Sequence, residues 1–182
     1  VVVETNQRGL RVEQSDNEVT IVPRAAGPAE LRLAVPARSS LQLRCTNGGN
    51  IQVENVEGEI EANGVNASII LRKVAGVAVA HSLQGRVLVQ LDKVTPGKAM
   101  SFSALNGDVD VTLPPDTKAD VKLQTANGSI RSEFSVTSRE ESWPSSGKRL
   151  AGAINGGGAE IQLKTVNGSV FLRKAELRPA EK

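Results

Sequence analysis

Apolar and polar residues alternate through most of this chain, and the alternation breaks at near-regular intervals. Val87 and Val89, Val109 and Val111, and Val170 and Leu172 each stand two apart, as do Phe102 and Ala104. A period of two puts one set of side chains on one face, so each run predicts a short, half-buried strand. No helix-length amphipathic stretch is evident, and no apolar run reaches the 18 residues of a membrane-crossing helix. The pattern is that of an all-β chain.

The breaks are themselves a repeat. Asn106-Gly107-Asp108-Val109, Asn127-Gly128-Ser129-Ile130 and Asn167-Gly168-Ser169-Val170 share one tetrad, and Asn66-Ala67-Ser68-Ile69 and Gln84-Gly85-Arg86-Val87 are looser copies. The copies begin at 66, 84, 106, 127 and 167, a spacing near twenty residues with one double step. Self-similarity at such a period is the signature of stacked repeats. Asn-Gly suits a corner because both residues tolerate positive φ. A second corner falls about ten residues on, at Val56-Glu57-Gly58, Val74-Ala75-Gly76 and Pro96-Gly97. Each repeat is then two strands and two corners.

Two geometries meet this description: a meander of antiparallel hairpins, or a β-solenoid in which equivalent strands stack in parallel. The columns favour the solenoid. Two residues before each tetrad stand Gly64, Ser82, Ala104, Thr125 and Thr165, all small, and each tetrad opens on an amide. Stacking like on like turns the amide column into a hydrogen-bonded ladder, whereas a meander gives no reason for a small column. The expected fold is a right-handed, single-stranded parallel β-helix with coils of about twenty residues. Asn47-Gly48-Gly49-Asn50-Ile51 reads as a further copy with one extra residue, a bulged corner with Cys45 in the small column. Val3, Thr5, Gln7 and Leu10 match the same offsets, so the chain is expected to start inside a first coil.

The expected organisation is one domain over 1–176 and a frayed, charged tail over 177–182. An irregular excursion at 137–149 holds the only Trp. Tyr is absent and aromatics make up 2% of residues, as a narrow core lined by Val, Ile, Leu and Ala requires. A net charge of +2 and the scarcity of stacking rings argue against nucleic acid. A single cysteine allows no internal disulfide. No leader is visible, and an opening on Val rather than Met leads us to expect one removed.

Candidate chemistry is sparse. His81, the only histidine, could serve a Ser-His-Asp arrangement, but no nucleophile elbow accompanies it. Cys45 reads as a buried thiol of the small column. Gly156-Gly157-Gly158 precedes a strand, not the helix that a phosphate loop opens, and reads as a corner or close backbone approach. Asp108, Asp110 and Asp116 raise calcium, but Ser129 and Ser169 stand at the matching corner, so no carboxylate column forms. No cofactor or metal is expected. Basic residues gather late in the chain, among them Lys118, Lys122, Lys148, Arg149, Lys164, Arg173 and Lys174. They read as a solvated face or as a patch for an anionic envelope polymer or lipid headgroups. The best site for a specific contact is the excursion, with Trp143 flanked by Arg139, Lys148 and Arg149.

Two stretches also resemble a known family. One is Leu113-Pro114-Pro115-Asp116 leading to the strand and tetrad at 119–130; the other is Ile154-Asn155-Gly156-Gly157-Gly158 leading to 161–170. Together they resemble the bacterial adhesin-like domain family of unknown function, strongest from about residue 40 to 174. The resemblance implies a β-solenoid in an exported protein of the periplasm or cell surface, with no catalytic residues to carry over. The expected role is non-catalytic adhesin-like binding or scaffolding. Envelope polysaccharide, a surface protein or a second copy are the expected partners. The alternatives are a polysaccharide-acting enzyme on a β-helix, which needs clustered carboxylates, and a sensing module of an envelope-stress protein.

Overall fold

The computed structural model describes residues 2–5, 10–16, 18–23, 30–46, 48–138 and 147–176. The chain divides into two compact units, Val1–Pro36 and Ala37–Lys182. In the first, β1 (Val2–Thr5) pairs with a later strand, and β2 (Leu10–Ser15) with β3 (Glu18–Pro23). The partner of β1 is β4 (Leu31–Ala34), and both pairings are antiparallel. Val3, Thr5 and Leu10 therefore lie in antiparallel strands, not in a parallel first coil. The Ser15–Glu18 pair closes a hairpin with Asp16 at φ 49°, a conformation that Asp accepts readily. Alternation alone cannot tell a hairpin from a coil, and here the local turn decided.

The second unit is a 13-stranded, mostly parallel sheet, nearly closed into a barrel-like curl. It begins with β5 (Leu41–Cys45), β6 (Gly49–Glu54), β7 (Glu57–Gly64) and the long β8 (Ala67–Gln84). There follow β9 (Val87–Val94), β10 (Met100–Asn106), β11 (Val109–Leu113), β12 (Ala119–Asn127) and β13 (Ile130–Ser132). The last are β14 (Thr137–Ser138), β15 (Lys148–Ile154), β16 (Ala159–Asn167) and β17 (Val170–Lys174). Strands that precede a tetrad form a front run, β5-β7-β8-β10-β16-β12, with β15 and β14 added antiparallel at its edge. Strands that follow a tetrad form a back run, β6-β8-β9-β11-β17-β13. β8 serves both, its first half in the back run and its second in the front. Parallel pairing excludes the meander.

The columns read from the sequence are present in register. Cys45, Gly64, Ser82, Ala104, Thr165 and Thr125 pair in that order across six strands. Their side chains face a tight corner, which is why they are small. Three of them also bond the corner backbone beside them: Ser82 Oγ donates to the Ala67 carbonyl, Thr165 Oγ1 to Gly107 and Thr125 Oγ1 to Gly168, each at 2.8 Å. Thr165→Val keeps the volume and removes the donor, leaving the half-buried Gly107 carbonyl short of a partner. We expect a loss of about 1–2 kcal/mol in urea unfolding, with Thr165→Ser close to wild type. The amide ladder is real: Asn127 Nδ2 donates to Asn167 Oδ1 at 2.9 Å, and Asn167 Nδ2 to Asn106 Oδ1 at 2.8 Å. None of these three asparagines takes positive φ. Their reason for recurring is the ladder, not the turn conformation that the sequence suggested.

The corner glycines recur because the backbones of neighbouring corners approach closely. A Cβ on Gly168 would strike the carbonyl of Gly107, one on Gly107 that of Gly85, and one on Gly128 that of Gly168. The bulged corner also holds: Cys45 pairs with Gly64 and Gly49 with Ala67, one more residue on the first strand than on the second. Inside the curl lie Phe102, Leu123, Leu163, Ile69, Leu71, Val111 and Leu172, all fully buried. Phe102 sits beside Ala80, large against small, which fills the layer without strain.

Spatial order departs from chain order at one place. β16 and β17 lie between β10–β11 and β12–β13, although they follow both in sequence. The double step from 127 to 167 is therefore not a coil whose tetrad was lost. The chain leaves β13, returns antiparallel as β15 on the outer side of β12, and then crosses over the start of β12 to its inner side. Ile154 and Ala159 both pair with Ala119, from opposite sides. The crossing is Asn155–Gly158. Asn155 Nδ2 donates to the carbonyls of Pro115 and Thr117, and Gly158 N–H to Asp120 Oδ2. A Cβ on Gly158 would sit 2.6 Å from the Lys118 carbonyl, so this glycine run is the close backbone approach that the sequence suggested.

Candidate functional site

The outward face of the front run carries an anomaly. In a strand, the residue after an inward one points out, so the position between the small column and the tetrad faces solvent. That position is Val65, Leu83, Leu105, Val166 and Ala126 in successive coils. Bracketing pairs place them side by side: Ala104–Ser82 and Asn106–Gln84 around Leu105 and Leu83, then Ala104–Thr165 and Asn106–Asn167 around Leu105 and Val166. Thr125–Thr165 and Asn127–Asn167 do the same for Ala126. Val65, Leu83 and Leu105 are 37%, 50% and 42% exposed. They are the large apolar side chains that stand exposed among the described residues of the second unit. Single exposed leucines are ordinary, but an aligned column marks a contact surface.

The column has two different borders. On one side runs the amide ladder. On the other runs the row Asn63, His81, Ser103, Lys164, Gln124 and Arg149, each paired with the next. One row further lie Val79, Ser101, Gln162 and Lys122. Lys164, Lys122 and Arg149 thus gather at the β16-β12-β15 end. Lys122 also reaches Glu160 at 3.1 Å. The result is a band with an apolar edge, an amide edge and a basic end.

Of the contact residues expected from sequence, Lys148 and Arg149 are both exposed on β15, but Arg149 is in register with outward Gln124 whereas Lys148 is in register with inward Thr125, so only Arg149 shares the face of the band. Trp143 and Arg139 lie outside the described residues. The signal for the apolar column lies in the sequence: the residue before each tetrad is Val, Leu, Leu, Ala and Val, where outward strand positions are normally polar.

The remaining candidates have structural partners. His81 Nδ1 lies 2.6 Å from Ser103 Oγ, a half-buried pair. Its row neighbour is Asn63, whose amide donates to Glu61, and among the described residues the ring's hydrogen-bond partner is this serine, not the carboxylate that orients a catalytic triad. Cys45 Sγ is half-buried and donates to the Gly48 carbonyl at 3.2 Å. Asp108 accepts from the Ser169 N–H, and Asp110 accepts from Arg173 Nε at 2.9 and 3.0 Å. That bond, and then the charge of Asp110, raises the Arg173 pKa above its ordinary value. No group of three or more His, Cys, Asp or Glu among the described residues could hold a metal ion. Nor is any helix of the described residues long and apolar enough to cross a membrane.

The family model described as Toastrack DUF4097 matches residues 37–173. That span covers both sequence markers noted above and all but the last residue of the 13-stranded sheet. No curated protein and no solved structure matches this chain.

Proposed function

Because the chain belongs to the Toastrack DUF4097 family, in which no catalysis is known, we propose that it is a non-catalytic, adhesin-like binding module of the bacterial cell envelope. Its second unit acts as a β-solenoid scaffold, exported to the periplasm or cell surface, and its ligand is an anionic envelope polysaccharide. The observation that carries this reading is the exposed column Val65, Leu83 and Leu105 beside an amide ladder, ending in Lys164, Lys122 and Arg149. Sugar rings offer apolar faces, hydroxyls suited to amides, and acidic groups suited to the basic end. Repetition at the strand spacing of about 4.8 Å lets successive units of a polymer meet successive coils.

The test is a panel of isolated envelope polysaccharides, scored for both binding and cleavage. The wild type is expected to retain at least one anionic polymer and to release no product. Leu83→Glu with Leu105→Glu should weaken retention at least tenfold, while unfolding shifts by no more than about 0.5 kcal/mol per site, as for exposed positions. Released product would overturn the non-catalytic reading. Failure to retain any polymer would overturn the polysaccharide.

A further inference from the structure

Residues 159–174 enter the sheet as a U: β16, the Asn167–Gly168 corner and β17. The coils on either side, β10–β11 and β12–β13, are joined directly through residues 114–118, so the U occupies a slot between two consecutive coils. Its side-chain bonds run both ways out of the slot. Toward one wall, Thr165 reaches Gly107, Asn167 reaches Asn106 and Arg173 reaches Asp110. Toward the other, Asn127 reaches Asn167, Thr125 reaches Gly168 and Lys174 N–H donates to Glu133. Every one of these partners is 40 or more residues distant in sequence. One covalent link, Asn155–Gly158, ties the U to the strand before it.

No contact in the slot depends on the U coming from the same chain. The link bridges two strand spacings, about 10 Å, yet its five Cα steps can extend to about 17 Å. Folded over β12, it holds positive φ at Asn155 (50°), Gly156 (93°) and Gly157 (84°). Asparagine and glycine take extended backbone as readily as this one, so the link can straighten, giving up the Asn155 bonds to Pro115 and Thr117. We propose that two copies of this chain assemble by trading this U, each slot being filled by the segment of the other. Reciprocal exchange closes the assembly at two. Insertion within one chain competes at the millimolar effective concentration of a short link. Exchange is therefore set when chains fold together at high concentration, and it persists afterwards because the slot must open to reverse it.

Ser103 on β10 and Lys164 on β16 are direct neighbours, on strands about 4.8 Å apart and so within disulfide reach. In a Cys45→Ser background, chains carrying Ser103→Cys and chains carrying Lys164→Cys, with different tags, are unfolded, mixed and refolded at high concentration under mild oxidant. The expected product is a disulfide-linked species of twice the 19.2 kDa chain mass carrying both tags. The double variant in one chain is the control. If it closes its internal bond while the mixture stays unlinked, the proposal falls. If the control fails to close, the solution mass of refolded wild type decides. A dimer that survives dilution supports exchange, and a monomer at every refolding concentration overturns it.

Discussion

Gly168→Ala destabilises this protein by about 3 kcal/mol, the upper end of what an overpacked site ordinarily costs. The added methyl has nowhere to go. Its nearest neighbours would be the carbonyl group of Gly107, with the carbon at 2.6 Å, and the backbone nitrogen of Asp108 at 3.2 Å. These are main-chain atoms pinned by the Gly107 N–H bond to the Asn167 carbonyl, not the far end of a side chain that could swing aside. With a urea m-value of about 1–3 kcal/mol per molar for a domain of this class, the midpoint should fall by 1 M or more. Gly97→Asn is the matched control: nothing lies within 4 Å of its Cβ, and Asn tolerates its φ of 71°. A midpoint for Gly168→Ala within the scatter of that control would refute the close-approach account of the corner.

Ending the chain after Ile154 should abolish cooperative unfolding altogether. A stack read in chain order predicts something milder, because removing a terminal coil from a solenoid forfeits one interface and leaves the rest standing. The coil removed here is internal in space. Ile161, Leu163, Val170 and Leu172 are each fully buried. At about 2 kcal/mol apiece they contribute about 8 kcal/mol, comparable to the whole stability of a typical domain. Two strand edges on the front run and two on the back also lose their partners. Circular dichroism through a thermal ramp, with a dye that reports exposed apolar surface, decides between the two. A sharp transition within a few degrees of wild type would show that the slot closes without its insert.

The two experiments separate what sequence could and could not say. Membership of each column was legible: Cys45, Gly64, Ser82, Ala104, Thr125 and Thr165 were identified by offset alone, and all six stack. Their order was not. Thr125 and Thr165 satisfy the column equally well from either position, because a column specifies what stands in it and not who stands beside whom. The information that sets the order lies in pairs that no repeat predicts, such as Arg173 with Asp110 and Glu133 with the Lys174 backbone. The N-terminal segment departs from the expected first coil for a related reason. Val3, Thr5 and Leu10 carry the right alternation, but a period of two is common to every kind of strand pairing. Of the contact residues expected from sequence, Arg149 lies in the outward row with Gln124 and Lys164, whereas the apolar column carries no motif of its own: Val65, Leu83, Leu105, Ala126 and Val166 share only an outward strand position next to the tetrad.

The crossing of Asn155–Gly158 over the start of β12 also sets a schedule. A ribosome delivers this chain amino end first, so coils 100–113 and 119–132 emerge well before the strands that separate them. Until residue 174 is available, β10–β11 and β12–β13 lack the strands that stand between them in the finished sheet. A pause or premature stop late in the message would thus leave a chain most of the way to its fold but open at its middle, a species that quality-control proteases and chaperones recognise readily.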